Sequence, residues 1–218
     1  MNSNQSQSTS ATPTRAGRDS GRLELDSETL QALTELDPAA LGLFYEAYFD
    51  RLYGYVRRMV GEEHIAEDVT QDIFMHIYKS LPKYDPSRAL RPWIFTIATN
   101  KVRDFWRSRR HRDTLRETSY DAVEGDGLRT SKEKPPQGIL ENQELGVVLT
   151  EAIERLPDSM RSTLLLRYFE GLSFEAIGEI LNRNEAAVRK RYSRAMEYLR
   201  EDLTPTMETL GEFEGGNA

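Results

Sequence analysis

Two stretches of this chain combine residue types that handle nucleic acid. Between 91 and 110, Trp93, Phe95, Phe105 and Trp106 are interleaved with Arg91, Lys101, Arg103, Arg107, Arg109 and Arg110. Ring faces accept unstacked bases and cations hold the backbone, which is the pairing single-stranded nucleic acid requires. Between 172 and 191 the run Leu-Ser-Phe-Glu-Ala-Ile-Gly-Glu-Ile-Leu-Asn-Arg-Asn-Glu-Ala-Ala-Val-Arg-Lys-Arg fits a helix-turn-helix. Gly178 is the small residue where two helices cross closely. Asn182 sits where the turn requires a positive φ, which Asn tolerates. Val188 plugs the helix pair. The opposite face then carries Glu185, Ala186, Arg189, Lys190, Ser193 and Arg194. A helix of this kind enters the major groove, with some side chains on base edges and its arginines on phosphates.

A third pattern is acidic. His64, Asp68, Asp72 and His76 recur every four residues and share one helical face. A straight stripe spans too much length to close around one ion, so no metal site is expected; a polar stripe opposite Ile65, Val69, Ile73 and Ile77 is the plain reading, and an acidic stripe can also serve as a docking face for a basic partner. In the aromatic–cationic stretch, Trp93 and Phe105 read as core. Phe95 lies off the inward stripe of Ile94, Ile97, Ala98, Val102 and Phe105 and is expected to point outward with Asn100.

The elements that must position these residues are helices. Apolar residues recur in steps of three and four from Leu41 to Met59, from Ile65 to Leu81, from Ile94 to Phe105 and from Leu145 onward. Asp37-Pro38, Gly61, Pro92, Gly171, Ser173 and Asn184 punctuate them. Asp158 reads as a cap, and the last helix as roughly 185 to 202. No stretch alternates with period two, so the expected class is all-α. Residues 1–26 are polar and read as a disordered tail, 27–112 as a first helical domain, and 113–139, with its Gly and Pro, as a flexible linker. Residues 140–203 read as the helix-turn-helix domain and 204–218 as a loose acidic tail.

Charge is segregated along the chain. The total is 29 Lys and Arg against 36 Asp and Glu, yet residues 88–116 hold nine basic and two acidic side chains. Residues 22–80 hold twelve acidic and five basic. Blocks of opposite sign suggest separate surfaces for separate partners. With 0 cysteines, a disulfide framework and a thiolate zinc site are excluded. No apolar run approaches a membrane span, so a cytoplasmic location is expected. Nothing calls for a cofactor or a small-molecule substrate.

In this order and spacing the chain resembles the sigma-70 family, specifically its compact extracytoplasmic-function (group 4) members, over about 27–203. Ala66-Glu-Asp-Val-Thr-Gln-Asp-Ile-Phe74 is similar to the family's polymerase-docking helix. The stretch from Arg91 to Arg107 is similar to its promoter-melting helix, and Leu156 to Ala195 to its −35-reading domain. The resemblance implies a sigma-2 helical bundle and a sigma-4 helix-turn-helix domain. It implies a transcription initiation factor, not an enzyme, acting with core RNA polymerase through the beta-prime clamp helices and the beta flap, and with promoter DNA. Asp68, Gln71, Asp72 and Phe74 match docking positions. Ser87, Arg88 and Arg91 match the loop that pockets a flipped −10 base, Phe95 and Asn100 flank that base, and Thr96, Arg103, Asp104 and Arg107 lie on the same helix. Thr96 stands where many members carry a cation. An anti-sigma factor is a further implied partner. The other reading of the residues is a stand-alone helix-turn-helix regulator, which leaves the acidic stripe and the aromatic–cationic helix unexplained.

Overall fold

Asp26 starts the first helix: its carboxylate accepts the Thr29 amide at 2.8 Å, and α1 runs Ser27–Thr34. Asp37 repeats the device, accepting the amides of Ala39 and Ala40 at 3.0 and 2.9 Å. Pro38 follows it in the first turn, where a missing N–H costs nothing. α2 spans Pro38–Val60 and stops at Gly61, whose φ of 83° is left-handed. α3 covers Glu63–Ser80, a 3-10 turn covers Leu81–Lys83, and α4 covers Leu90–Glu117. α5 (Glu141–Arg155), α6 (Asp158–Tyr168), α7 (Phe174–Leu181) and α8 (Glu185–Glu214) complete the chain. The computed structural model describes residues 25–117 and 141–214, and among these every regular element is helical.

Four boundaries differ from the sequence reading. α4 begins at Leu90, so Pro92 sits inside its first turn instead of opening it. Asp158 is the first residue of α6 and not its cap; Pro157 holds that position with φ −53°. α8 does not stop near 202 but runs to Glu214 with Pro205 inside it. A proline within a helix forfeits one ladder bond without necessarily ending the helix, and α8 continues through Pro205. α4 likewise runs beyond residue 112, into what reads as linker. The N-terminal tail to residue 24 and the linker residues 118–140 lie outside the described residues.

The buried side chains explain the arrangement. Phe44, Leu52, Val56 and Met59 of α2 pack with Val69, Ile73 and Ile77 of α3 and Ile94, Ala98 and Val102 of α4. Ala152, Leu156, Leu165, Ile177, Val188, Ala195 and Leu199 form the second bundle. The two apolar sets join into one continuous core. α4 lies on α7, and α2 lies on α5 and α6. The two helical units therefore dock on each other directly. Arg161 on α6 seals the seam: its Nη1 donates to the Met59 carbonyl of α2 at 3.1 Å. The same guanidinium donates to the carbonyls of Ile153, Glu154 and Leu156.

Candidate nucleic-acid interface and docking face

The helix-turn-helix is built as its sequence requires. The Ser173 hydroxyl accepts the Ala176 amide at 3.1 Å and starts α7. Asn182 closes α7 at φ 51°, and Asn184 caps α8 through the Ala187 amide at 2.8 Å. A Cβ on Gly178 would stand 2.6 Å from the Arg183 carbonyl oxygen, so no side chain fits there. Val188 is fully buried. That places Glu185, Ala186, Arg189, Lys190, Ser193 and Arg194 on the exposed face of α8. Arg189 is held in place by its own neighbours. Its Nη2 lies 2.5 Å from Glu185 Oε1, and its guanidinium lies 4.6 Å from the centre of the Phe174 ring.

The α4 face is partly as expected. Asn100, Arg103, Asp104 and Arg107 are exposed. Arg103 Nη1 donates to Asn100 Oδ1 at 3.2 Å, and Arg107 pairs with Asp104 at 2.9 Å. Ser87 and Arg88 are exposed on the preceding loop, which Asp85 shapes. The Asp85 carboxylate accepts the Ser87 amide at 3.0 Å and the Ser87 hydroxyl at 2.7 Å. Those bonds hold the Asp85 carboxyl below its ordinary value. Thr96 is half-buried and turns its hydroxyl back to the Pro92 carbonyl at 2.8 Å.

Phe95 corrects the sequence reading. It is 0% exposed and meets the Tyr55 ring edge-on at 5.5 Å. Tyr55 itself hydrogen-bonds the Thr99 hydroxyl at 3.0 Å, and burial pushes its phenol up to about 12. Phe95 is therefore core, and no ring face of it is offered to a base. Trp93 and Phe105 are half-buried against the same core, Trp93 against the Tyr84 ring at 4.7 Å.

The stripe on α3 is solvent-facing. His64, Asp68, Gln71, Asp72 and His76 are all exposed. Among the described residues, no group of three or more His, Cys, Asp or Glu could hold a metal ion. Phe74 is half-buried, with its ring 5.2 Å from Tyr45, 6.0 Å from Phe49 and 5.9 Å from Phe44. Tyr45 and Phe49 thus continue the aromatic edge of this face onto α2. Their i, i+4 spacing was the only sequence signal for them.

A cluster that periodicity could not reveal lies at the seam. Glu170, between α6 and α7, is 5% exposed. Arg51 Nη1 stands 3.8 Å from its Oε2, and Arg91 Nη1 donates to its backbone carbonyl at 3.2 Å. Arg58 covers the neighbouring Phe169 ring at 4.3 Å. Burial pushes the Glu170 carboxyl above its ordinary value, opposed by Arg51, Arg91 and Arg58. Glu170 Oε2 and Arg91 Nε are buried with no hydrogen-bond partner among the described residues. Such groups cost roughly 1–3 kcal/mol each. Nearby, Arg57 faces Glu154 at 3.6 Å, and burial raises Glu154 against Arg57 and Arg161. A cleft of about 510 Å³ opens along the seam, with Thr99, Arg103 and Trp106 on one wall and Asn182, Arg183 and Arg191 on the other.

An all-helical chain with a helix-turn-helix in one unit and a cationic, nucleic-acid-type helix in the other defines a two-module DNA-directed factor. Residues 44–112 match Sigma-70 region 2, and residues 147–199 match Sigma-70, region 4. The ECF RNA polymerase sigma factor SigW of Bacillus subtilis is 31% identical over 175 residues, covering 77% of this chain and 90% of SigW. In fold, the chain is similar to CnrH solved in complex with the cytosolic domain of CnrY. The TM-score is 0.61 at 22% identity, over 83% of this chain and 97% of that one. It is also similar to the sigma factor RpoE solved with the anti-sigma factor NepR from Bartonella quintana. There the TM-score is 0.58 at 23% identity, over 73% of this chain and 94% of that one. The chain belongs to the sigma-70 family of RNA polymerase sigma factors, in its extracytoplasmic-function group.

Proposed function

We propose that α3 docks this sigma factor on the beta-prime clamp helices of core polymerase through Asp68, Gln71, Asp72 and the edge of Phe74, with the second unit on the beta flap. The −10 element is read and held open by Ser87, Arg88, Arg91, Asn100, Arg103, Asp104 and Arg107, with Thr96 alongside. The −35 element is read by Glu185, Ala186, Arg189, Lys190, Ser193 and Arg194. The polymerase performs the catalysis. One observation supports the reading most: a single chain exposes an acidic helix face, an amide–arginine helix face and a basic helix-turn-helix face, each on a different element. A flipped base needs hydrogen-bonding to its edge, and Asn100 carries both donor and acceptor. An inhibitor of the anti-sigma class would act by covering one of these faces.

The test is the double variant Asp68→Lys with Asp72→Lys. Both positions are exposed mid-helix, where Lys is a good helix former, so the fold should persist. Affinity for core polymerase should fall. Wild-type affinity in the double variant would remove α3 from the docking role.

A further inference from the structure

Arg183 and Arg191 belong to none of the faces assigned above, yet both line the cleft between the two units, with Arg103 of α4 on the opposite wall. Arg103 donates to the Asn100 amide oxygen at 3.2 Å. Among the described residues, no ion pair engages any of the three, and Arg183 and Arg191 have no side-chain hydrogen bond. One carboxylate, Asp158, shares the cleft with these three guanidiniums. Like charges on facing protein walls focus a positive potential between them, which a bound anion offsets. Asp158 and Ser159 are the first two residues of α6, and no side chain caps that helix. The unpaired amides at a helix start favour an anion in the same way. The rest of the lining is apolar: Met59, Val102 and Leu181 are buried and Trp106 is half-buried. At about 510 Å³ the cleft falls within the roughly 300–1,000 Å³ of small-molecule sites.

We propose that this cleft binds a nucleoside polyphosphate, its phosphates on Arg103, Arg183 and Arg191 and its base against Trp106 and the apolar lining. Guanidinium forks match phosphate oxygens two at a time, so three of them suit a chain of phosphates better than a single one. An inorganic anion makes no use of Met59, Val102 and Leu181, and an apolar ligand makes no use of the arginines. A nucleotide uses both halves. Asp158 then has a function as well, because a carboxylate accepts hydrogen bonds from ribose hydroxyls in nucleotide sites. The site takes one wall from each unit: Arg103 comes from α4, Arg183 from the turn after α7 and Arg191 from α8. Of these residues only Arg103 is shared with the promoter reading, so the proposal stands without that reading.

The chain has 2 tryptophans, Trp93 and Trp106, so Trp93→Phe leaves the cleft indole as the sole reporter. The probes are ATP, GTP, inorganic pyrophosphate and adenosine, added to the full chain and followed by Trp106 emission. ATP or GTP should quench it saturably, and the same nucleotide should raise the thermal midpoint of the wild type, since a ligand of the folded form stabilises it. Pyrophosphate should compete at least about ten-fold more weakly, and adenosine should leave the emission unchanged. Arg183→Ala, Arg191→Ala and Arg103→Ala should each weaken nucleotide binding about ten-fold or more, the worth of one hydrogen bond to a charged group. Arg200→Ala removes an exposed cation of α8 outside the cleft and should bind as wild type does. Far-UV circular dichroism verifies that each variant remains helical. Absence of saturable quenching and of a midpoint rise with both nucleotides overturns the site. Pyrophosphate binding as tightly as ATP and GTP overturns the nucleoside assignment. A loss in Arg200→Ala equal to that in Arg191→Ala reduces the effect to general surface charge and overturns it too. Full binding in Arg103→Ala overturns the two-walled site.

Discussion

Phe95 shows how a single side chain decides which surface a helix offers. It is fully buried edge-on against Tyr55, so Phe95→Ala should open a cavity and cost about 3–5 kcal/mol of stability. Chemical denaturation checks this, and Phe95→Leu should recover most of the loss. Any transcription defect in Phe95→Ala should track the unfolded fraction. Asn100→Ala should behave in the opposite way, with stability within about 0.5 kcal/mol of wild type because the residue is exposed. Its base preference at the −10 element should blur, as measured by transcription from single-base promoter variants. The misreading of Phe95 has a physical origin. Positions 94, 97 and 105 and positions 91, 95, 98 and 102 both follow steps compatible with a helix. Periodicity alone does not choose between faces one residue apart on an element covered from two sides. α4 is packed by α2 and α3 on one side and by α7 on another, so its buried arc is wider than a single stripe.

At the scale of elements, the turn of the helix-turn-helix was legible because its chemistry is local. The positive φ at Asn182, the caps Ser173 and Asn184 and the plug Val188 all lie within a few residues of the groups they serve. Gly178 is the most demanding of them. Gly178→Ala should cost about 1–3 kcal/mol by forcing the Arg183 carbonyl away, read as a lowered thermal midpoint. Weaker −35 binding should follow, because the turn sets the angle of α8. Lys190 is exposed on α8, and no ion pair engages it among the described contacts. Lys190→Ala should weaken binding across sequences and reduce the salt slope by about 1, as expected of a phosphate contact. Arg189 differs, because Glu185 and Phe174 already hold its guanidinium. Removing Glu185 should alter which bases are preferred more than it alters the salt slope. The length of α8 was not legible. Thr204-Pro205 carries a stop signal by type, yet the helix continues through it.

The arrangement of the whole molecule rests on pairs far apart in the chain. Arg91 and Glu170 are separated by 79 residues, and Met59 and Arg161 by 102. No local pattern announces such pairs, which is why the sequence suggested two tethered units and the structure docks them. The Glu170 carboxyl gives the docked form a pH dependence whose sign can be worked out. In an opened or unfolded chain it titrates near its ordinary 4.5, and in the closed seam burial raises it despite Arg51, Arg91 and Arg58. Between those two values the closed form binds more protons than the open one, so acidification favours closure. The penalty of burying the ionised carboxylate is fully present above the raised value, fades as pH falls through it, and is gone below 4.5. Glu154, raised by burial beside Arg57 and Arg161, contributes with the same sign. Energy transfer between dyes placed at Glu46→Cys on α2 and Glu197→Cys on α8 should therefore rise as the buffer is acidified from neutral toward 4.5. Glu170→Gln, neutral throughout, should hold high transfer already at pH 7 and lose most of the step. Transfer that falls on acidification would mean that attraction to the three arginines exceeds the burial penalty, and the ionised carboxylate would then be what keeps the molecule shut.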